Sequence, residues 1–544
     1  MDKKRRVGQN FLYGAVILII ANMLGKIFGV IFKIPISGII YDEGMGYFNS
    51  AYNIYVFFYM VSTTGFPVAV SRMVAVSNSN GNRAETKRIF KVSMSVFVVL
   101  GIAGTAIMFF GAGIITKIIN NPNAFYCIAT IAPTLFFVCI SSAYRGYFQG
   151  HQNMVPTAVS QVIESFGKLA IGIAAGMYAR NMGYSLPIIA AYAICGITVG
   201  VAVGMIYLHF TKSVFNKKNI ADEAMQVQPD MPVRSSKSIL KELLITSVPM
   251  IISSSLLSLT NFIDIVIIMR RLQDIGFSQE MANKLYGAYT TKAVTLFNMP
   301  PAFIYPFTMS IMPVLAAAYA KKDSGAIHRT VESTFRIVSI ISIPCALGMS
   351  ALALPIIDFI FPKNVEMIPT EQIAPLLSIL AVAIFFVSIV SVSTAMLQSQ
   401  KFERKPLYSM LIGAVVKLVT SYILIGIPSI GLYGTPIGTI LCYLTIMCIN
   451  MYFLMKHTKY IPPIRKIFIK PLIAGGSCAI AAAVTYAVLS KVISVRLSTV
   501  AAILVAVAVY GILLLVLRSF EREDLMMLPK GEKILKVFEK FKLV

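Results

Sequence analysis

The sequence predicts an all-α polytopic membrane protein of about fourteen transmembrane helices, built as two six-helix lobes related by a parallel internal repeat plus two C-terminal helices. Three observations predict it. Of 544 residues, 57% are hydrophobic and 13% charged, whereas an ordinary globular chain carries about 25% charged residues. Apolar runs long enough to span a bilayer recur along the whole chain. Stretches of the first half also return in the second at constant spacing.

The first run, 11–40, follows the basic "KKRR". It is far longer than the roughly 7–15 residue core of a signal peptide and lacks a small-residue cleavage site, so it reads as a retained first span. Runs at 47–77, 89–116, 124–146, 155–178 and 184–211 complete an N-lobe, 1–211. The segment 212–238 is charged, proline-bearing and poor in aromatics, which predicts a cytoplasmic linker acting as a tether. Runs at 239–269, 286–319, 330–357, 368–399, 406–427 and 432–455 form a C-lobe, 239–460. Two more, 468–490 and 497–517, fall within 461–519, and 520–544 is a basic cytoplasmic tail. Pro35, Pro67, Pro187, Pro300, Pro301 and Pro306 lie inside runs and predict kinks or interruptions there. Lys and Arg concentrate in the loops on the side of the amino terminus, which places both termini in the cytoplasm. An even number of spans agrees with that.

The repeat pairs "YFNSAYNIYVFFYMVSTTGFPVAVS" from Tyr47 with "YGAYTTKAVTLFNMPPAFIYPFTMS" from Tyr286. One offset of 239 matches Tyr47 to Tyr286, Pro67 to Pro306, Ser71 to Ser310 and Asn22 to Asn261. Further along, Phe136 and Phe137 match Phe385 and Phe386, and Gln149 matches Gln398. Two halves running in the same direction are a transporter architecture, in which substrate binds between repeats and rocking gives alternating access.

Several functions are excluded by what the charges and motifs do. The net charge of +25 is spread over short loops as a topology signal, so nucleic acid is not the partner. Seven scattered cysteines without a CxxC pair read as small buried hydrophobes, and four loop histidines give no metal spacing. There is no GxxxxGK[ST] loop for ATP and no nucleophile–histidine–acid arrangement, so the chain reads as no enzyme, with no catalytic or metal-ligating residue and no cofactor. Secondary transport follows, driven by Na+, H+ or the membrane potential.

A short set of charges remains inside the spans: Lys26, Lys33, Arg72, Lys168, Lys292, Arg336 and Lys417, against Glu164 and Asp264. A lysine at the centre of a membrane helix costs about 2.5–3.5 kcal/mol, so each such residue marks a watery cavity or a partner. Arg72 and Arg336 lie near helix ends, where snorkelling accounts for them. Glu164 stands four residues before Lys168, and an intrahelical pair would neutralise both. Lys26 and Lys33 are seven residues apart, so they fall about 20° from each other on one helix face. These cations, Lys26, Lys33, Lys292, Lys168, Arg72 and Lys417, are the candidate substrate-binding set, with Asn22, Glu164, Asp264 and Asn298 as supporting polar residues. Their surplus positive charge describes a cavity for an anion, and lysine binds phosphate well as a point charge.

The first-span "NMLGKIFGVIFK", the second-span "GFPVAVSRMVA", the loop "GNRAETKRIF" and "YRGYFQGHQNMVPTAVSQVIE" together resemble the oligosaccharidyl-lipid flippases of the MOP superfamily, in particular the SpoVB/YtgP group, which is similar to MurJ. The likeness covers nearly the whole chain. It implies translocation of an undecaprenyl-pyrophosphate-linked peptidoglycan precursor, lipid II, across the bacterial cytoplasmic membrane, with a polyprenyl-pyrophosphate-linked oligosaccharide and membrane lipid as partners and the cell-wall synthesis machinery as a further candidate. It also implies a central cationic cavity. Anchored on the prolines and "SIMP", Lys292 falls where the family has an eighth-helix arginine. The first-helix motif differs, with Asn22, Phe28 and Gly29 at the family's charged positions, and Tyr55, Phe57 and Phe58 stand at the depth of its second-helix arginine. The trailing pair, 468–490 and 497–517, corresponds to helices that the family associates with a groove for the polyprenyl tail. The alternatives are a flippase for another lipid-linked polysaccharide unit, a MATE-type drug exporter and a non-transporting cell-wall scaffold. A net positive interior favours an anionic cargo over the cationic drugs of the exporters.

Overall fold

The structure, a computed structural model, describes residues 2–223, 232–400, 402, 404–463, 465–522 and 524. Among them every regular element is a helix. The helices gather into two compact units, Met1–Gln273 with Phe277–Gly287, and Asp274–Gly276 with Ala288–Val544. By packing, the seventh expected span therefore belongs with the first six, although the duplication assigns it to the second half.

The first unit holds α1 (Asp2–Thr63), α2 (Phe66–Ser79), α3 (Arg83–Phe110), α4 (Ala112–Ile118), α5 (Phe125–Ile131), α6 (Thr134–Gly150), α7 (Val155–Asn181), α8 (Leu186–Glu223), α9 (Ser236–Asp274) and most of α10 (Gln279–Ala288). α1 is two helices joined at Tyr41, whose backbone (φ 56°, ψ −174°) is not helical. A bulky residue at positive φ is strained. Arg180 on α7 satisfies the carbonyls that the break releases, donating to Gly38 O at 2.8 Å and to the Tyr41 hydroxyl at 2.5 Å. The second expected span is broken again at Gly65, and α2 restarts with Pro67 in its first turn, the position that proline favours. Residues 277–287 join this unit because Gly287 meets the Asp42–Gly46 turn: a Cβ on Gly287 would lie 1.9 Å from Asp42 O, and Asn283 Nδ2 donates to Glu43 O at 2.9 Å.

The second unit holds α11 (Val294–Phe297), α12 (Met299–Ala320), α13 (Ser324–Ala351), α14 (Ala353–Ile360), α15 (Thr370–Ser399), α16 (Arg404–Ile425), α17 (Gly434–Thr458), α18 (Lys470–Leu489) and α19 (Val495–Val516). A π-turn, Tyr289–Ala293, connects α10 to α11, and Asn298 separates α11 from α12. The expected eighth span, 286–319, is thus discontinuous, with Pro300 and Pro301 opening its last piece. Among the described residues eleven helices are long and apolar enough to cross a membrane, against fourteen expected spans. One of them, Ile17–Met60, joins two expected spans across Tyr41.

The expected linker, 212–238, is not a loose tether at either end. α8 continues through it to Glu223, and residues 224–231 lie outside the described residues. At the far end Arg234 forms ion pairs with Glu85 and Glu242, Asn82 Nδ2 donates to Pro232 O at 3.1 Å, and Arg88 donates to Arg234 O at 3.1 Å. The bond to Glu85 holds the Arg234 guanidinium above its usual pKa. The expected tail lies outside the described residues from 525 onward.

Helices α7 and α8 make the tightest pair in the first unit, through glycine. A Cβ on Gly196 would lie 2.5 Å from Gly172 Cα, and one on Gly200 would lie 2.7 Å from Glu164 O and 3.1 Å from Lys168 N. Small residues at such spacing let membrane helices approach backbone to backbone. Alanine at Gly200 must push α7 away, and forcing extra volume into a packed contact costs about 1–3 kcal/mol. Gly200→Ala is expected to lower the melting temperature of the purified protein in detergent, whereas Gly113→Ala, with open space around its Cβ position, leaves it unchanged.

Candidate functional site

The polar interior of the first unit forms where α1, α6 and α7 meet. Phe32 fits against Gly172, where a Cβ would lie 2.9 Å from its ring, and Gly25 is equally close to Ser165 Oγ. These contacts fix the register of α1 on α7 and bring Lys33 to Lys168. The Lys168 ammonium stands 5.1 Å from the Phe32 ring centre, 4.6 Å from Tyr52 and 6.0 Å from Phe48. The ammonium groups of Lys33 and Lys168 lie within repulsive reach of each other. Both side chains are half-buried, deep among helices but still accessible.

The expected Glu164–Lys168 pair does not form. Glu164 takes Arg145 of α6 instead, at 2.5 Å, and Arg145 also donates to Ser160 Oγ at 3.2 Å from both Nε and Nη2. Arg145 is 5% exposed, so its partner is a necessity: an uncompensated buried charge costs several kcal/mol. The carboxylate side chain packs on Gly204, where a Cβ would lie 2.9 Å from Glu164 Cγ. Sequence reasoning missed Arg145 because "YRGYFQG" reads as a loop. The signal was the pair Gly146 and Gly150, one turn apart, which lets α6 pack on Pro67, Val70 and Val74 as a helix.

The other expected site residues scatter. Lys26 and Asn22 are exposed on α1, and Arg72 is exposed on α2. Asp264 is half-buried on α9. In the second unit Lys292 is buried within the π-turn, its ammonium 3.4 Å from Ile368 O. Asn298 is exposed between α11 and α12, and Lys417 is buried on α16. Of the candidate cations, Lys33 and Lys168 are the two shown together.

Arg336 does not snorkel. It is 1% exposed and bonds Glu332 at 2.5 Å, Asp524 at 2.8 Å and Glu521 at 2.9 Å, while Tyr460 donates to Glu332 at 2.5 Å. The knot ties the segment after α19 to α13 and to the connection between α17 and α18. The expectation failed because Asp524, its partner in the C-terminal segment, lies 188 residues away in sequence, and because it left out the nearby Glu332. Burial raises the pKa of Asp524 against the lowering effect of its bonds to the Glu521 backbone and to Arg336.

The second unit also contains an apolar cavity of about 820 Å³. Ile343, Phe385, Phe386, Met447, Tyr452 and Leu472 line it, and Lys456 is the one charged residue among its lining. Cys448 lines it too and is exposed, while Cys195 and Cys345 are half-buried, so three of the seven cysteines depart from the buried role expected of them. Most of the lining comes from α13, α15 and α17. α18 contributes Leu472, and no lining residue comes from α19.

A multi-pass helical membrane protein with duplicated halves and buried charged residues in both has the build of a secondary transporter. The chain belongs to the polysaccharide biosynthesis protein family, whose pattern matches residues 11–319, and the MatE family matches residues 249–423, which places it in the MOP superfamily. It is 26% identical to the lipid II flippase MurJ of Bacillus subtilis (strain 168) over 465 residues, 84% of each chain. It is 25% identical to stage V sporulation protein B of the same organism over 538 residues, 96% of this chain and 98% of that one. Among solved structures, lipid II flippase MurJ in an inward closed conformation superposes with a TM-score of 0.67 at 13% identity, covering 93% of this chain and 98% of that one. The MurJ relative and the MurJ structure are named lipid II flippases, and the chain is a transport protein rather than an enzyme.

Removing Arg336 leaves Asp524 buried and Glu332 half-buried without a cation, and stripping a buried charge of its partner typically costs about 3–5 kcal/mol. Arg336→Ala should therefore lower the melting temperature far more than Arg72→Ala, which removes an exposed side chain. Equal effects of the two substitutions in detergent-purified protein would show that the knot does not hold the C-terminal segment.

Proposed function

We propose that the protein flips a polyprenyl-pyrophosphate-linked oligosaccharide, lipid II in the first place, from the inner to the outer leaflet of the bacterial cytoplasmic membrane by alternating access. The observation that carries this reading is the Lys33–Lys168 pair. Two ammonium groups lie within repulsive reach of each other, and the nearby Glu164 carboxylate is bonded to Arg145. Two cations side by side suit a multiply charged anion better than a cation, which separates this reading from a drug exporter built on free carboxylates. A pyrophosphate shared between the lysines relieves their repulsion, in surroundings where electrostatics are stronger than in water.

The cargo class draws support from the relatives, one of them named a lipid II flippase. An isoprenoid tail needs an apolar refuge, and the apolar lining of the 820 Å³ cavity in the second unit suits part of such a chain. With no nucleotide-binding loop in the sequence, the cycle draws on an ion gradient or the membrane potential.

Each charge-assisted contact to phosphate contributes about 1.5–3 kcal/mol, which corresponds to roughly ten- to a hundred-fold in affinity. Lys33→Gln combined with Lys168→Gln should abolish rescue of cells depleted of their lipid II flippase, while the Lys→Arg pair retains it. Near-normal rescue by the glutamine pair at normal protein levels would sink the anion reading.

The same reading sets the orientation, with both termini cytoplasmic. Val365, 99% exposed, then faces outward and Asn80 inward. In a cysteine-free background, Val365→Cys is expected to react with an impermeant thiol reagent on intact cells and Asn80→Cys only after permeabilisation. The reverse pattern would invert the topology.

A further inference from the structure

Phe48, Tyr52, Tyr55 and Tyr59 stand on one face of the second half of α1, spaced by four, three and four residues. Their rings follow one another with centroids 6.3, 6.1 and 5.7 Å apart, a continuous ladder. The Phe48 end is core: it is fully buried against Phe32, 5.6 Å away. The tyrosine part is different. Tyr52 and Tyr59 are only half-buried, with Tyr55, 4% exposed, packed between them, and the hydroxyls of Tyr52 and Tyr55 make no hydrogen bond to the described residues. Buried tyrosines usually find a partner for the hydroxyl, and tyrosines of membrane helices gather at the two interfaces. These stand well inside the Asp42–Ser79 stretch, away from either end.

The groups around the ladder differ at its two ends. At Tyr52 the Lys168 ammonium lies over the ring, with Lys33 in reach. Tyr55 and Tyr59 lie within electrostatic reach of the Arg145–Glu164 pair. A row of aromatic faces that begins at cations and continues beside a fixed acid and its arginine suits one kind of molecule. Pyranose rings present flat C–H faces that pack on aromatic rings, while their hydroxyls reach phenol and carboxylate oxygens.

We propose that Tyr52, Tyr55 and Tyr59 form a glycan platform, along which the first sugars of the lipid-linked oligosaccharide lie while its pyrophosphate is held at Lys33 and Lys168. This rests on the anion reading of those lysines. It adds a specificity element: the platform selects cargo that carries sugar over polyprenyl pyrophosphate alone.

The test uses the full chain in lipid nanodiscs and two probes, lipid II and undecaprenyl pyrophosphate, which lacks sugar. Wild-type protein is expected to bind lipid II the more tightly. Tyr52→Leu with Tyr55→Leu should weaken lipid II by about ten-fold or more and shift undecaprenyl pyrophosphate by less than about three-fold, removing the preference. Tyr52→Phe with Tyr55→Phe keeps the rings and most of the preference, which also controls for folding. Lys33→Gln with Lys168→Gln should weaken both probes alike. A wild-type protein that binds both probes equally, or a leucine pair that weakens both by the same factor, overturns the platform and leaves the anion reading standing. Failure of wild type to bind either probe overturns the anion reading and the platform with it.

Discussion

The Arg145–Glu164 ion pair sets the sign of the interior around it. Glu164 and Lys168 sit one turn apart on α7, the arrangement that ordinarily gives a helical salt bridge. Had that bridge formed, Arg145 would be buried without its carboxylate. Because α6 presents Arg145 to Glu164, with Ser160 as a second acceptor, the acid is spent on the arginine. Lys168 turns instead to the faces of Phe32, Phe48 and Tyr52. Cation–π contact stabilises an ammonium without cancelling its charge, so Lys168 remains available to an anion.

That pairing depends on backbone approach. Glu164 can lie against α8 because Gly204 has no side chain, and α7 can lie as close as it does because Gly167, Gly172, Gly196 and Gly200 meet one another. In hydrocarbon there is no hydrophobic force between helices, so packing contacts of this kind and buried polar bonds hold the bundle together. The charge pattern and the glycine pattern are two aspects of one arrangement, since a displaced α7 would carry both Glu164 and Lys168 out of register.

The second unit uses its charges differently. Lys292 lies in a π-turn of a helix broken at Asn298, and irregular backbone at membrane depth is tolerated where protein buries it. Arg336 serves architecture: its three carboxylates and Tyr460 bind the chain beyond α19 to the body of the unit. An arginine in a span is thus a site residue or a staple according to what faces it.

The sequence by itself determined the helical class, the position of most spans, the interruptions at Pro67 and Pro300–Pro301, the duplication and the surplus of cations inside the helices. All of these follow from local properties: run length, proline geometry and the composition of one segment at a time. It also pointed to Lys33 and Lys168, because a lysine in hydrocarbon stands out in any context. Only the tertiary structure decided which charges cancel. A sequence reveals neighbours three and four residues apart, and on that basis it paired Glu164 with Lys168; it left Arg336 to solvent although Glu332 stands four residues before it. The true partners, Arg145 for Glu164 and Asp524 for Arg336, come from other helices, brought within reach by glycine contacts and chain turns that no single segment encodes. The tyrosine ladder was visible as letters, Tyr52, Tyr55 and Tyr59. Its meaning needed the fold, because only packing shows that Phe48 and Tyr55 are closed in the core while Tyr52, beneath Lys168, and Tyr59 stay partly open.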